Sequence, residues 1–206
     1  MRLLCSVKLC YKAIKNKISV STDFLLFFAV AVVVLPIQWL GAWMLAIFIH
    51  ELCHFLTLQF CGVSVNTMQI SCQGVTMYTE SISLGKEALC AYAGPIGALI
   101  ILLFARHLPR TAICTLVFSA YNLLPVFPLD GGRGLGCLLM KLLPERTAKK
   151  FMRYVENLVL MGVSILALYA VFVLGLGLLP AMFIVLLLIR CKGIKIPCKK
   201  CRLGLQ

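Results

Sequence analysis

Acidic residues are scarce in this chain: its 206 residues include seven Asp and Glu, against 20 Lys and Arg, and only three histidines. Charged residues of both signs reach 13%, about half the usual share, while apolar residues make up 62%. That balance excludes an ordinary water-soluble domain and points to a polytopic membrane protein. There is no internal repeat, no low-complexity tract and no stretch long enough for a separate soluble domain, so residues 1–206 read as a single membrane-embedded domain. No cleavable signal peptide is expected, because the basic stretch Met1 to Ser21 has no adjacent short apolar region ending in a small-residue cleavage site. Residues 1–22 instead suit a basic interfacial segment, a short helix or strand, and 190–206 a basic tail. The cysteines also fail to suggest a disulfide framework. Cys53, Cys61, Cys90, Cys114 and Cys137 lie in or beside apolar helices and read as reduced, small apolar residues. Cys191, Cys198 and Cys201 allow either half a zinc knuckle or free thiols on the tail.

What is abundant is apolar length. The chain reads as an all-α polytopic membrane protein with about six transmembrane helices, expected over Phe24 to Trp39, Gly41 to Phe60, Ala88 to Ala105, Thr111 to about Leu129, Leu158 to Leu174, and Leu176 to Ile189. Between the second and third spans, Val63 to Thr79 alternates in the manner of strands around Gly74, which predicts a small β-hairpin. Between the fourth and fifth, Gly134 to Leu143 and then Glu145 to Asn157 read as an apolar piece followed by a basic amphipathic helix, punctuated by Pro144. The net charge of +13 first suggests nucleic acid, but the basic residues flank the spans. With a cytoplasmic N-terminus and six crossings, every Lys and Arg except Arg106 and Arg110 falls inside. Both termini are therefore expected in the cytoplasm, with the basic flanks against anionic headgroups.

One polar cluster interrupts this pattern. His50-Glu51-Leu52-Cys53-His54 is an H-E-x-x-H sequence inside the apolar run from Gly41 to Phe60. A charged residue near the middle of a span costs roughly 2.5 kcal/mol or more, so its presence needs a compensating function. On a helix, residues four apart share a face, so His50 and His54 can offer two imidazole nitrogens to one ion with Glu51 beside them as a general base. A catalytic zinc takes three protein ligands and keeps one position for water, so a third ligand must come from elsewhere. The inventory leaves Asp130: His107 sits at the outer end of the third span, and Asp23, Glu80, Glu87, Glu145 and Glu156 lie at span edges or in cytoplasmic segments. Asp130 closes the run Tyr121 to Gly132, where Pro125 and Pro128 prevent a regular helix, and irregular backbone at membrane depth is tolerated only against protein or a wet cavity. A straight helix from Thr111 would carry Asp130 too far toward the cytoplasm, so unwinding at the two prolines has to bring it back.

The chemistry expected of this set is peptide hydrolysis, with Glu51 taking a proton from a water activated by zinc and returning it to the leaving amine. Asn122 is equally a donor to the oxyanion or substrate backbone and a helix–helix hydrogen-bonding residue. The hairpin is either a connecting loop or an edge to which an unwound substrate adds as a strand. Ala93-Gly94-Pro95-Ile96-Gly97 reads as a site of close packing and kinking.

At these residues the chain resembles the site-2 (M50) family of intramembrane zinc metalloproteases, and within it the compact bacterial branch of the stage IV sporulation protein FB type. The resemblance rests on His50-Glu51-x-x-His54, on Ala93-Gly94-Pro95, and on Asn122-Leu-Leu-Pro125 running to Pro128-Leu129-Asp130-Gly131-Gly132-Arg133. It implies one zinc per chain held by His50, His54 and Asp130, Glu51 as base, and Asn122 assisting the substrate. It also implies a multi-pass bacterial cell-membrane enzyme whose substrates are membrane-bound transcription-factor precursors or anti-sigma factors, with a regulatory membrane partner and sporulation as one setting. Cys53 stands where the family often has glycine, and Phe127 where proline is frequent. No segment resembles the PDZ or CBS domains of many relatives. Two other classes remain open: an inactive relative that binds membrane helices, and a metal-ion transporter, although neither paired half-helices nor inverted repeats are visible.

Overall fold

The computed structural model describes residues 18–71, 74–79, 82–173 and 175. The chain enters as strand β1 (Ile18–Val20), continues as helices α1 (Thr22–Val34) and α2 (Ile37–Phe60), and then forms strands β2 (Val65–Ser71) and β3 (Gly74–Thr79). Four helices follow: α3 (Leu84–Ala98), which tightens into a 3-10 turn over Leu99–Phe104, then α4 (Pro109–Asn122), α5 (Asp130–Leu142) and α6 (Glu145–Phe172). The architecture is all-helical with one small sheet, as expected. Among the described residues, three helical stretches are long and apolar enough to cross a membrane, Ile37–Phe60, Leu84–Phe104 and Glu145–Phe172, and α1 is a shorter apolar helix.

Several boundaries differ from the sequence reading. The break between the first two spans falls at Leu35 and Pro36, not at Leu40, because Pro36 has no N–H to donate and caps α2. The fourth span is helical only to Asn122 and the remaining residues to Leu129 are irregular. The basic amphipathic helix and the fifth span are not separate: α6 runs unbroken for 28 residues from its cap at Pro144, since nothing between Glu145 and Phe172 breaks a helix. The sixth expected span, Leu176 to Ile189, lies outside the described residues, as does the tail with Cys191, Cys198 and Cys201.

The hairpin between the second and third membrane-length helices is present, and β1 joins it. The sheet order is β1-β2-β3, with β1 parallel to β2 through Ile18 opposite Met68, and β2 antiparallel to β3 from Val65 opposite Thr79 to Ser71 opposite Gly74. Among the described residues, the outer edge of β3 carries no further strand. Leu58 of α2, Met77 of β3 and Cys90 of α3 bury one another and fasten the sheet to the helices.

The helical core consists of α2, α3, α4 and α5. Along α2, Ala42, Ala46, His50 and Leu58 form a buried stripe at four-residue spacing, with His54 in the same line. The two alanines pack against Cys114 of α4, and such small side chains let helix backbones approach closely in lipid. α3 and α5 also approach closely, where a Cβ added at Gly134 would run into the ring of Tyr92. By contrast, α1 has no buried residue, and its apolar surface suits lipid.

Candidate functional site

His50 and His54 project from one face of α2, their rings 4.7 Å apart and nearly perpendicular. His50 is 2% exposed and Asp130 8%. The two Nε2 atoms are 3.1 Å apart, and Asp130 Oδ2 lies 3.0 Å from the first and 3.3 Å from the second. Helix period alone sets the histidine pair; the arrival of Asp130 depends on how the chain leaves α4. After Asn122 the backbone turns through short bonds, Val126 N–H to the Leu124 carbonyl at 2.8 Å and Leu129 N–H to the Val126 carbonyl at 2.9 Å, with a cis peptide at Phe127–Pro128. Asp130 is then the first residue of α5, where the helix N-terminus favours a negative charge.

Two glycines make that return possible. A Cβ at Gly131 would strike the Leu123 carbonyl, and one at Gly132 would strike the backbone of Val126 and Phe127. Any larger residue would push α5, and Asp130 with it, away from the histidines. From the outside, Glu156 of α6 accepts the Phe127 N–H at 2.9 Å, so the peptide that no helix satisfies is tied to a neighbouring helix.

The hydrogen-bond pattern shows what the three residues are suited to hold. His54 Nδ1 lies 2.7 Å from the Cys90 carbonyl, which can only accept, so that nitrogen carries the proton. In a neutral His54 the Nε2 atom then presents a lone pair, and it faces Asp130 Oδ2, itself an acceptor. A proton on His50 Nε2 would answer one of these contacts. A cation at the centre would answer all three. Ligand atoms at bonds of about 2.0–2.1 Å in a tetrahedron stand roughly 3.3 Å apart, close to the separations here, and two imidazoles with a carboxylate is a ligand set that catalytic zinc takes. Among the described residues, this trio is the one group of His, Cys, Asp and Glu so arranged. The residues present therefore fit a zinc ion.

Glu51 is half-buried beside this triangle. Its carboxylate takes a hydrogen bond from the Val75 backbone, and a Cβ at Gly74 would come within 3.8 Å of its Oε1. The first residues of β3 therefore stand over the glutamate. Asn122 is buried, and its side-chain amide donates to the Phe118 carbonyl at 3.0 Å in its own helix.

Three contributors were not visible as such in the sequence. Phe118 of α4 meets the His50 ring edge to face at 4.9 Å and meets Trp43 at 6.0 Å, closing the apolar side of the site. The Cys90 carbonyl orients His54, and a backbone group leaves no trace in residue type. Gly94 lies where a Cβ would enter the His54 ring, so the glycine expected to serve close packing does so against a site residue. Cys53, the bulkier residue beside the site, is accommodated by Gly97, whose added Cβ would come within 2.7 Å of its sulfur.

A family model described as Peptidase M50B-like matches residues 24–129, a span that includes His50, Glu51, His54 and Asn122 and ends one residue before Asp130. No curated protein matches the chain. Among solved structures, the fold is similar to that of a site-2 protease from Methanocaldococcus jannaschii, at 19% identity and a TM-score of 0.58, covering 88% of this chain and 93% of that one.

Proposed function

The chain belongs to the M50B-like peptidases, membrane metalloproteases, and from that premise we propose that it is an intramembrane zinc endopeptidase. The observation that carries the reading is the triangle of His50 Nε2, His54 Nε2 and Asp130 Oδ2, converging from two separate segments with edges of 3.0 to 3.3 Å. One zinc per chain would be held by these three residues, and when bound it supplies a water acidic enough to ionise near neutral pH and polarises a carbonyl. Glu51, beside the triangle, would serve as the base that takes a proton from the attacking water and passes it to the leaving amine. The Cys90 carbonyl keeps the His54 proton on Nδ1 and so keeps Nε2 available. Asn122 would assist the substrate once its amide turns from Phe118.

The substrate of this reading is a membrane-spanning or membrane-associated protein, cut in or near the cytoplasmic half of the bilayer. A helical substrate hides its scissile carbonyl in its own hydrogen bonds and must be unwound first. The outer edge of β3, which carries no further strand among the described residues and whose first residues lie against Glu51, offers backbone partners for an extended segment. Transcription-factor precursors or anti-sigma factors in a bacterial membrane, sporulation among their settings, fit such an enzyme, with both termini cytoplasmic, residues 1–206 as one domain, and a second membrane protein as regulator. Nucleic acid has no part in it.

The test is cleavage of a co-expressed membrane substrate together with zinc content of the purified protein. Glu51→Gln should keep one zinc per chain and lose cleavage by at least about 100-fold. Unchanged cleavage would remove Glu51 as the base, and zinc flux into liposomes from the wild type would favour a transporter.

A further inference from the structure

Beyond the site already described, α3 and α5 bury a second set of charges. Glu87 is 6% exposed in the first turn of α3, within a stretch long and apolar enough to cross a membrane. A carboxylate in such surroundings is costly unless a cation or hydrogen bonds compensate it. Both compensations come from α5: the Arg133 guanidinium supplies the opposite charge and the Cys137 side chain a hydrogen bond. Burial and the nearby Glu87 push the Cys137 thiol up to about 12, so it stays protonated and donates. Arg133 and Cys137 stand four residues apart, which puts both on the face that meets α3.

Arg133 also reaches the site. It lies one turn after Asp130, with its Nη1 4.0 Å from Asp130 Oδ1, and both side chains are largely buried. The other oxygen, Oδ2, is the one that approaches both imidazoles. A carboxylate has two equivalent oxygens and turns freely about its last bond, so a fixed cation on one of them decides where the other points.

We propose that Glu87 and Arg133 are positioning residues for Asp130: Glu87 supplies a counter-charge to the guanidinium from α3, and the guanidinium, 4.0 Å from Oδ1, attracts that oxygen and leaves Oδ2 toward His50 and His54. The inference rests on the reading of Asp130 as a zinc ligand and adds two residues behind it. It also gives α3 a double role. The Cys90 carbonyl, three residues after Glu87, fixes the protonation of His54, while Glu87 acts on Asp130 only through Arg133. A single helix that contributes no ligand would then align ligands from two others.

Zinc affinity of the full-length protein in detergent, measured by chelator competition, tests this, alongside the visible spectrum of the cobalt-substituted protein. Arg133→Gln should weaken zinc binding by roughly 10- to 100-fold and alter the cobalt spectrum, with Arg133→Lys recovering part of both. Glu87→Gln should weaken it by a smaller factor, and should add nothing in the Arg133→Gln background, because it acts through the guanidinium. Arg133→Gln protein that folds, binds zinc as wild type does and keeps the wild-type cobalt spectrum would overturn the proposal. So would an equal loss from Glu87→Gln in both backgrounds. Should Arg133→Gln not fold, Arg133→Lys and Glu87→Gln decide the matter, since wild-type affinity and spectrum in both refute the relay. Failure of the underlying zinc reading looks different: the wild type itself would bind no stoichiometric zinc.

Discussion

His50 and His54 stand on an unbroken 24-residue helix, whereas Asp130 arrives through irregular backbone between α4 and α5. The first arm of the site is local. Its two nitrogens are brought together by helix period, and only their proton arrangement depends on a neighbour, the Cys90 carbonyl. The second arm is held from several sides at once: by two prolines in the chain, by glycines 131 and 132 that let α5 close on the loop, and by Glu156 from α6. The difference teaches where each arm is vulnerable. Damage to the helix-borne arm should follow from changes at the ligands and their immediate contacts, while the loop-borne arm should fail from changes several residues away.

Removing a ligand should produce the largest effect and tell the arms apart least. His54→Ala and Asp130→Ala are each expected to drop zinc from one per chain to well below that, and to abolish cleavage; metal analysis of the purified proteins checks it. If Asp130→Ala retained full zinc, the loop-borne arm would have no part in the metal site. Next in size are the glycines. Gly94→Ala places a methyl inside the His54 ring and should cost zinc affinity with little loss of thermal stability if the ring can swing aside. Gly131→Ala instead collides with the Leu123 carbonyl and should cost stability as well, about 1–3 kcal/mol, because backbone cannot rotate out of the way. Equal melting temperatures for the two variants would break the comparison.

A smaller effect is expected at Glu156. Glu156→Leu leaves the Phe127 N–H without its acceptor and should lower stability by about 1–3 kcal/mol, with a matching loss of cleavage, whereas Glu156→Gln retains an acceptor oxygen and should come close to wild type. Thermal unfolding and cleavage measured together separate the two. The smallest effect should come from Cys53→Gly, which removes a thiol lying where a Cβ on Gly97 would stand. Cleavage within about threefold of wild type is expected there, with stability lower by up to about 1 kcal/mol because glycine is a poor residue inside a helix.

Much of the helix-borne arm was legible before any coordinates. The H-E-x-x-H spacing on an apolar helix specifies two imidazoles and a carboxylate on adjoining faces, and the alternation around Gly74 foretold the hairpin that now lies over Glu51. The parts that escaped were those without a residue-type signature. Continuous apolar neighbours place Pro36 inside a span by hydropathy, whereas its missing N–H makes it the start of α2. The basic helix and the fifth span differ in surface chemistry but share one helix, α6, because a change of polarity does not interrupt backbone hydrogen bonding. Phe118 looked like any apolar residue of a span, and only its approach to His50 gives it a role.

Composition and spacing by themselves determined that this chain lives in a membrane, that it is helical, and that two histidines and a glutamate share one helix, since those properties follow from transfer free energy and from the 3.6-residue turn. Elimination among so few acidic residues also points to Asp130, but only the tertiary structure decided how it reaches and faces the histidines. Asp130 lies 76 residues from His54 in the chain but 3.3 Å away in space, and that closure depends on backbone approaches at Gly131 and Gly132 and on hydrogen bonds from other helices, none of which any local pattern encodes.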